Sequence, residues 1–197
     1  MNLGFDVDEV VTMAMDRVSE VLAEEFGLHW DFWDFTTYEF EYTRFVEDTK
    51  HNVEVQKRLA EVVNSKEFQL KLTPYYEAKK AIQEYKRRGH RIHFITTRPK
   101  GEEETTCTWL LRNDIPFNSV HHVGFPGEKG FLGKQLNLDC FVDDHGKHLK
   151  SMMAYKKRWR KKLILLDRPW NKDFTGVEYK RAYSWSDVNR HLGIHRR

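Results

Sequence analysis

Short apolar runs that stop at polar clusters alternate along this chain with stretches of helical spacing. Leu3 to Phe5 is the first run, and it ends at two aspartates one residue apart, Asp6 and Asp8. A strand with this burial pattern delivers both carboxylates to the rim of a sheet. Val11, Ala14, Val18, Val21 or Leu22, and Phe26 then recur at helical spacing, with Gly27 as the stop. Leu28 to Arg44 is rich in aromatic residues but has no clean period, which predicts a loop with short helices. A helical pattern returns from about residue 51 to 66 through Val55, Leu59, Val62 and Val63.

The second half of the chain is more regular. Pro74 suits the first turn of a helix whose stripe is Ala78, Ala81, Ile82 and Tyr85, closed by Gly89. Arg91 to Thr96 reads as a strand ending in Thr96-Thr97-Arg98-Pro99. A helix over about 101–112 precedes a short strand from Val120 to Val123. A helix over about 129–137, with Lys129 at its start, leads to the strand Cys140 to Val142 and the pair Asp143-Asp144. Leu163 to Leu166 is wholly apolar and ends at Asp167-Arg168-Pro169-Trp170-Asn171, and a last strand is expected near Tyr179 to Tyr183. Strands alternating with helices predict an α/β fold with a parallel sheet. Residues 15–73 interrupt the alternation and read as a small helical cap inserted after the first strand. Residues 1–14 and 74–197 then form the core.

Composition narrows the class further. The 197 residues are 40% hydrophobic and 32% charged, the balance of a globular domain. No apolar run approaches the roughly 20 residues of a membrane span. The N-terminal stretch has no basic flank and carries acids within it, so it does not read as a secretory signal. Two cysteines, Cys107 and Cys140, make neither a disulfide framework nor a zinc-ligand spacing, and a reducing cytoplasm is the expected compartment. The net charge of +3 is too small to argue for nucleic acid. The basic block Lys156 to Lys162 is either a phosphate grip or a solvated helix end.

Four elements therefore end in polar groups where a sheet rim would lie. Asp6 and Asp8 follow one strand, Thr96 another and Asp143-Asp144 a third, with Lys129 just upstream. Phosphoryl transfer needs this mixture. A carboxylate attacks, a lysine and a metal cation neutralise the equatorial oxygens, and a hydroxyl with backbone N–H groups orients them.

In this pattern the chain resembles the haloacid dehalogenase superfamily of phosphatases. Phe5-Asp6-Val7-Asp8-Glu9-Val10 looks like its first motif, Phe94-Ile95-Thr96 its second, Lys129 its third and Phe141-Val142-Asp143-Asp144 its fourth. The inserted helices, the Thr-x-Arg-Pro step and the paired aspartates are similar to its 5′(3′)-deoxyribonucleotidase branch, as is the Asp167 to Asn171 run. The resemblance implies a Rossmann-like three-layer core and a Mg²⁺-dependent phosphomonoesterase acting on nucleoside monophosphates. Asp6 would be the nucleophile, and Asp8 the general acid and then base, with its carbonyl on the metal. Asp144 would be a further metal ligand, with Asp143 beside it as ligand or hydrogen-bond acceptor. Thr96 and the Thr97 N–H would hold phosphate oxygens. Arg98 would either touch phosphate or brace the loop, and Lys129 would hold phosphate and the Asp6 charge, with Lys134 as its rival.

One position departs from the family pattern. Glycine usually follows the second aspartate, and Glu9 stands there. Glutamate fits if the backbone is helical and the side chain turns outward. Otherwise a further acid beside the phosphate would repel substrate or alter metal affinity. Trp30, Trp33 and Phe35 of the insertion either stack on a nucleobase or form the insertion's own small core. Of the histidines, His145 beside the acidic pair is the one placed to matter, since His121 and His122 should face opposite sides of a strand. Two other functions remain open: a phosphatase of nucleic-acid 3′ ends that uses the basic block, and a weakly active relative that binds nucleotides as a module.

Overall fold

The computed structural model describes residues 1–155, 163–176 and 178–194. The block Lys156 to Lys162 lies outside them. Six parallel strands form one sheet in the order β3-β2-β1-β4-β5-β6. They are β1 (Asn2–Phe5), β2 (Arg91–Thr96), β3 (Ser119–His122), β4 (Cys140–Asp143), β5 (Leu163–Leu166) and β6 (Lys180–Ala182). The apolar runs of the sequence became strands because both faces of the sheet are covered, so each strand needs a nearly continuous apolar stretch.

Alternate strand residues feed two cores. Phe5, Phe94, Val142 and Ile164 face one side, where they meet Tyr85 of α4 (Tyr76–Arg87), Trp109 of α5 (Glu103–Arg112) and Trp185 of α8 (Trp185–Leu192). Ile95, Phe141, Leu163 and Leu165 face the other, against Leu132 of α6 (Pro126–Gln135) and Leu149 and Met152 of α7 (Gly146–Tyr155). The result is a three-layer Rossmann-like α/β fold. On the first side Phe5 packs 6.2 Å from Tyr85, 6.1 Å from Phe94 and 5.7 Å from Trp185, ring centre to ring centre. Such aromatic pairs contribute roughly 0.5–1.5 kcal/mol each beyond the area they bury.

Between β1 and α4 run α1 (Ala14–Phe26), two single 3-10 turns at Phe32–Asp34 and Phe40–Tyr42, α2 (Thr49–Val63) and α3 (Lys66–Lys71). Gly27 ends α1 in the left-handed conformation, at φ 65°. The chain leaves the sheet and returns to it along two segments joined by one antiparallel bridge. Met13 N–H donates to Thr73 O and Tyr75 N–H to Val11 O, each at 2.8 Å, and Thr12 bridges Pro74. Pro74 is therefore part of this ladder, and α4 begins only at Tyr76. Trp109 fixes the return passage by donating its indole N–H to Leu72 O at 2.7 Å.

The other expected elements shift by a few residues. Helix α6 starts at Pro126 rather than Lys129, since proline at the first helical position leaves no N–H unpaired. Lys129 therefore sits in the second turn. Gly130 next to it lets α6 press on α7, because a Cβ there would lie 2.3 Å from Ser151 O.

Candidate active site

The sheet order places β1 between β2 and β4, so the chain reverses direction across the sheet at β1 and β4. Ligands of open α/β sheets bind at such a switch point, outside the carboxyl ends of the strands. Asp6 and Asp8 follow β1 there, Thr96 closes β2, and Asp143 and Asp144 close β4. Asp6 N–H still donates to Val142 O at 2.9 Å, so the carboxylate leaves the sheet directly from its last rung.

Buried charges organise the floor of the site. Lys129 is fully buried, and its Nζ lies 2.7 Å from Asp6 Oδ2, 2.9 Å from Asp143 Oδ2 and 3.0 Å from His148 Nδ1. Burial lowers the basicity of that ammonium, but Asp143 and Asp6 outweigh it and hold the group more basic than usual. Burial would also raise the Asp143 carboxyl, yet His148 and Lys129 drive it well below the ordinary range. Asp6 moves the other way: burial, reinforced by Asp143, raises it against the pull of Lys129. Its Oδ1 accepts the Val7 N–H at 2.8 Å, which fixes the carboxylate's direction. Lys134, the rival to Lys129, is exposed on α6.

Asp8 belongs to a second, shallower pair. Arg98 grips it with two hydrogen bonds, Nε to Oδ2 at 2.9 Å and Nη2 to Oδ1 at 2.6 Å, and Thr12 Oγ1 donates to Oδ1 at 3.1 Å. Burial pushes the Asp8 carboxyl up, and the guanidinium overcomes it, so the group stays below its ordinary value. Arg98 thus meets an acid, where the sequence left phosphate contact or loop bracing open. Thr106 Oγ1 accepts from Arg98 Nη1 at 3.1 Å and lies 3.0 Å from His122 Nε2, while His122 Nδ1 lies 2.7 Å from Pro99 O. Thr96 is buried with Oγ1 accepting from the Arg98 N–H at 3.3 Å, and Thr97 is exposed at the rim.

The residues for a metal ion divide in two. Ligand atoms of Asp6, Asp143 and His148 lie within 4.8 Å of one another. That trio surrounds the Lys129 ammonium, which leaves no place for a second cation among the three. Asp144 stands apart, with Oδ2 accepting the Trp170 indole N–H at 2.9 Å. Burial, then Asp143 and Asp6, raise its carboxyl well above the ordinary range. Asp6 and Asp144 are thus buried hard-oxygen donors whose charges lack full compensation, which fits a hard divalent cation.

Glu9 corrects the expectation for the departing position. Its backbone is left-handed, at φ 54°, the conformation that suits glycine. Its side chain turns inward and is fully buried. Burial pushes its carboxyl up to about 7 against the pull of Arg168. Its oxygens accept from Met15 N–H at 2.7 Å and Tyr75 Oη at 2.8 Å.

A cavity of about 590 Å³ lies between the rim at Asp8, Thr97 and Arg98 and the helices that follow β1. Asp8, Thr97 and Arg98 form its base, and Tyr38, Phe40, Gln56, Lys57, Asn64, Phe68 and Gln69 are among its walls. None of the three aromatics singled out from sequence lines it. Trp30 packs 5.3 Å from Phe35 and 4.8 Å from Phe45, and these rings join the same apolar core as Phe5 and Phe94 rather than a separate one, while Trp33 is exposed 5.4 Å from Lys172 Nζ. His145 packs 5.3 Å from Tyr38, and burial lowers it to about 4. Sequence reasoning missed His148, whose signal was its place one turn beyond Asp144. It also missed the roles of Tyr75, Arg168, Trp170 and Asn171. Asn171 Nδ2 donates to Asp144 O at 2.7 Å, which explains the polar run after β5.

The fold is the one shared by hydrolases of the haloacid dehalogenase type. A hydrolase of that family from Deinococcus radiodurans, solved with phosphate and sodium bound, superposes with a TM-score of 0.62 at 15% identity, covering 98% of this chain and 94% of that one. CbbY of Rhodobacter sphaeroides, solved with xylulose-(1,5)bisphosphate, gives 0.58 at 14% identity over 95% of each chain. More narrowly, residues 1–196 match the family described as "5' nucleotidase, deoxy (Pyrimidine), cytosolic type C protein". The chain belongs to that family and is a phosphoric monoester hydrolase of the 5′-nucleotidase type. A provisionally named nucleotidase of Oceanobacillus iheyensis is 25% identical, covering 95% of this chain and 96% of its own. Bacillus subtilis YqfW, also provisionally named a nucleotidase, is 26% identical over 97% and 96%.

Proposed function

We propose that this site hydrolyses nucleoside monophosphates, deoxyribonucleotides foremost, with Mg²⁺ and through a phosphorylated Asp6. The observation that carries the reading is the Asp6 carboxylate, held between Lys129 and the Val7 N–H and lying two residues before Asp8, which lines a cavity large enough for a nucleoside. In the first step an Asp6 oxygen bonds to phosphorus, the bond from phosphorus to the ester oxygen breaks, and Asp8 gives that oxygen a proton. In the second step Asp8 takes a proton from water as the water oxygen attacks the same phosphorus and releases Asp6. The Asp8–Arg98 pair holds Asp8 as a carboxylate, its form for the second step. Donation in the first requires Asp8 to leave Arg98. Lys129, Thr96 and the Thr97 N–H hold the phosphoryl oxygens.

Asp6, Asp144 and the Asp8 carbonyl would hold Mg²⁺, with Asp143 buttressing them from the Lys129 side. The ion would neutralise charge on the phosphoryl oxygens. Residues 15–73 act as the cap whose inner wall meets the nucleoside. The pyrimidine deoxynucleotides in the description of the matched family make those the first substrates to try.

The test is phosphate release from 5′- and 3′-mononucleotides, sugar phosphates and a 3′-phosphorylated oligonucleotide, each with Mg²⁺ and with EDTA. Turnover of mononucleotides that EDTA abolishes is the expected result. Turnover of the oligonucleotide alone would move the activity to nucleic-acid ends. Asp6→Asn should remove phosphate release while leaving the fold intact, and full activity in that variant would end the mechanism.

A further inference from the structure

We infer that Glu9 is a positioning residue whose buried carboxylate ties both chain passages between the sheet and the helices that follow β1 to Arg168, and so sets where the pocket wall stands over Asp8. The inference rests on the proposed function for its kinetic consequence, though not for its structural one.

The local chemistry asks for such a role. A side chain at φ 54° sits where glycine is favoured, and the backbone is strained there for any other residue. Glu9 makes contacts that glycine could not. Helix α1 starts with backbone N–H groups that need acceptors, and its N-cap residue, Met13, provides no side-chain bond. Glu9 Oε1 supplies the acceptor from a distance, taking the Met15 N–H at 2.7 Å. A carboxylate at a helix N-terminus is also favoured by the helix dipole. The outward passage is thereby held.

The return passage is held by the other oxygen. Tyr75 Oη donates to Glu9 Oε2 at 2.8 Å, and Tyr75 is the residue just before α4. Its N–H closes the ladder to Val11 O, so one carboxylate binds both sides of the ladder that joins sheet and insertion. Arg168 locks the arrangement from the core. Its Nε lies 3.5 Å from Glu9 Oε2 and donates to Glu9 O at 3.0 Å, and its Cζ stands 5.0 Å over the Tyr75 ring. Arg168 opens the same turn whose Trp170 and Asn171 hold Asp144. The hinge of the wall and the metal-facing acid are therefore braced by one turn.

The experiment compares the full chain with Glu9→Gly, Glu9→Gln and Tyr75→Phe, by amide hydrogen exchange and by kinetics on a mononucleotide and on 4-nitrophenyl phosphate. In Glu9→Gly, residues 11–15 and 72–75 should exchange about tenfold faster while β1 and β4 keep their protection. Its kcat/KM for the mononucleotide should fall about tenfold, with 4-nitrophenyl phosphate, which does not fill the cavity, changed less than about threefold. Glu9→Gln keeps an acceptor for Met15 and should recover most of both losses. Tyr75→Phe should loosen residues 72–75 alone, which keeps the inference open to test if the glycine variant does not fold. Unchanged exchange in these segments would overturn the inference, and so would an equal loss on both substrates, which would place Glu9 in the chemical step. If the wild-type chain turns over no nucleotide, the functional reading fails, and the exchange result still decides the role of Glu9.

Discussion

The floor of the site and its wall are built on opposite principles. On the floor, Asp6, Lys129 and Asp143 are buried and held together by charge, with His148 Nδ1 3.0 Å from both Lys129 Nζ and Asp143 Oδ1. On the wall, Tyr38, Phe40, Gln56 and Asn64 are half-buried or exposed and bring aromatic faces and amides into an open cavity. Loss of Lys129 would leave the buried Asp6 and Asp143 without their shared cation, which is expensive in a low-dielectric interior. The wall can exchange one polar contact for another at little cost to the fold. On the proposed function, chemistry is thus placed where geometry is rigid, and selectivity where substitution is tolerated.

The largest effect should come from breaking the floor. Lys129→Met leaves Asp6 and Asp143 facing each other without their shared cation and should cost roughly 3–5 kcal/mol of stability. Phosphate release should fall by roughly 10²-fold or more, since the charge proposed to hold the phosphoryl group is lost. Urea unfolding and steady-state kinetics read the two effects. Lys134→Met on the exposed face of the same helix should change stability by less than about 0.5 kcal/mol and leave activity intact. Equal effects for the two lysines would erase the distinction between floor and surface.

A smaller, differently shaped effect is expected on the wall. Gln69 lines the cavity, and its Oε1 is buried with no hydrogen-bond partner among the described residues. Gln69→Leu removes an acceptor that already lacks its bond and one long donation to Asn64 O at 3.5 Å, so stability should change by less than about 1 kcal/mol. The mononucleotide KM should rise by roughly three- to tenfold with kcat unchanged, the signature of lost uniform binding. A fall in kcat with KM constant would put Gln69 with the floor.

The smallest effect belongs to the sheet away from both. His93 on β2 is buried with Nδ1 2.7 Å from Ser119 Oγ, and burial, aided by Arg91, lowers it to about 4 from an ordinary 6.5. The unfolded chain takes up this proton at higher pH than the folded one. His93 therefore withdraws stability as pH falls from 6.5 toward 4, and withdraws none above that window. Urea midpoints at pH 7, 5.5 and 4.5 should drop more steeply for the wild type than for His93→Asn. Parallel slopes would show that the acid sensitivity lies with the charged floor alone.

Much of this was legible in the chain. β2 and β5 occupy the same residues as the apolar runs that predicted them, because a short run bounded by polar residues has one way to be buried in a covered sheet. The acids at the ends of β1 and β4 were legible for the same reason: an apolar strand that stops abruptly puts whatever follows at the rim. Pro74 and the start of α6 were misplaced, since local preference cannot foresee the Thr12–Pro74 bridge or weigh two possible starts for one helix. The aromatic cluster at Trp30 and Phe35 offered either a stacking surface or a small core of its own, and packing with Phe45 joined it to the main core beside the sheet instead.

By itself, then, the sequence determined the parallel sheet and which carboxylates stand at its rim, because both follow from the order of apolar and polar residues along a few neighbouring positions. Only the tertiary structure decided that Lys129 rather than Lys134 meets Asp6, that Arg98 grips Asp8, and that Glu9 turns inward to Met15, Tyr75 and Arg168. Those choices depend on distances between elements up to 159 residues apart, and a buried charge finds its partner only when the layers have closed around it.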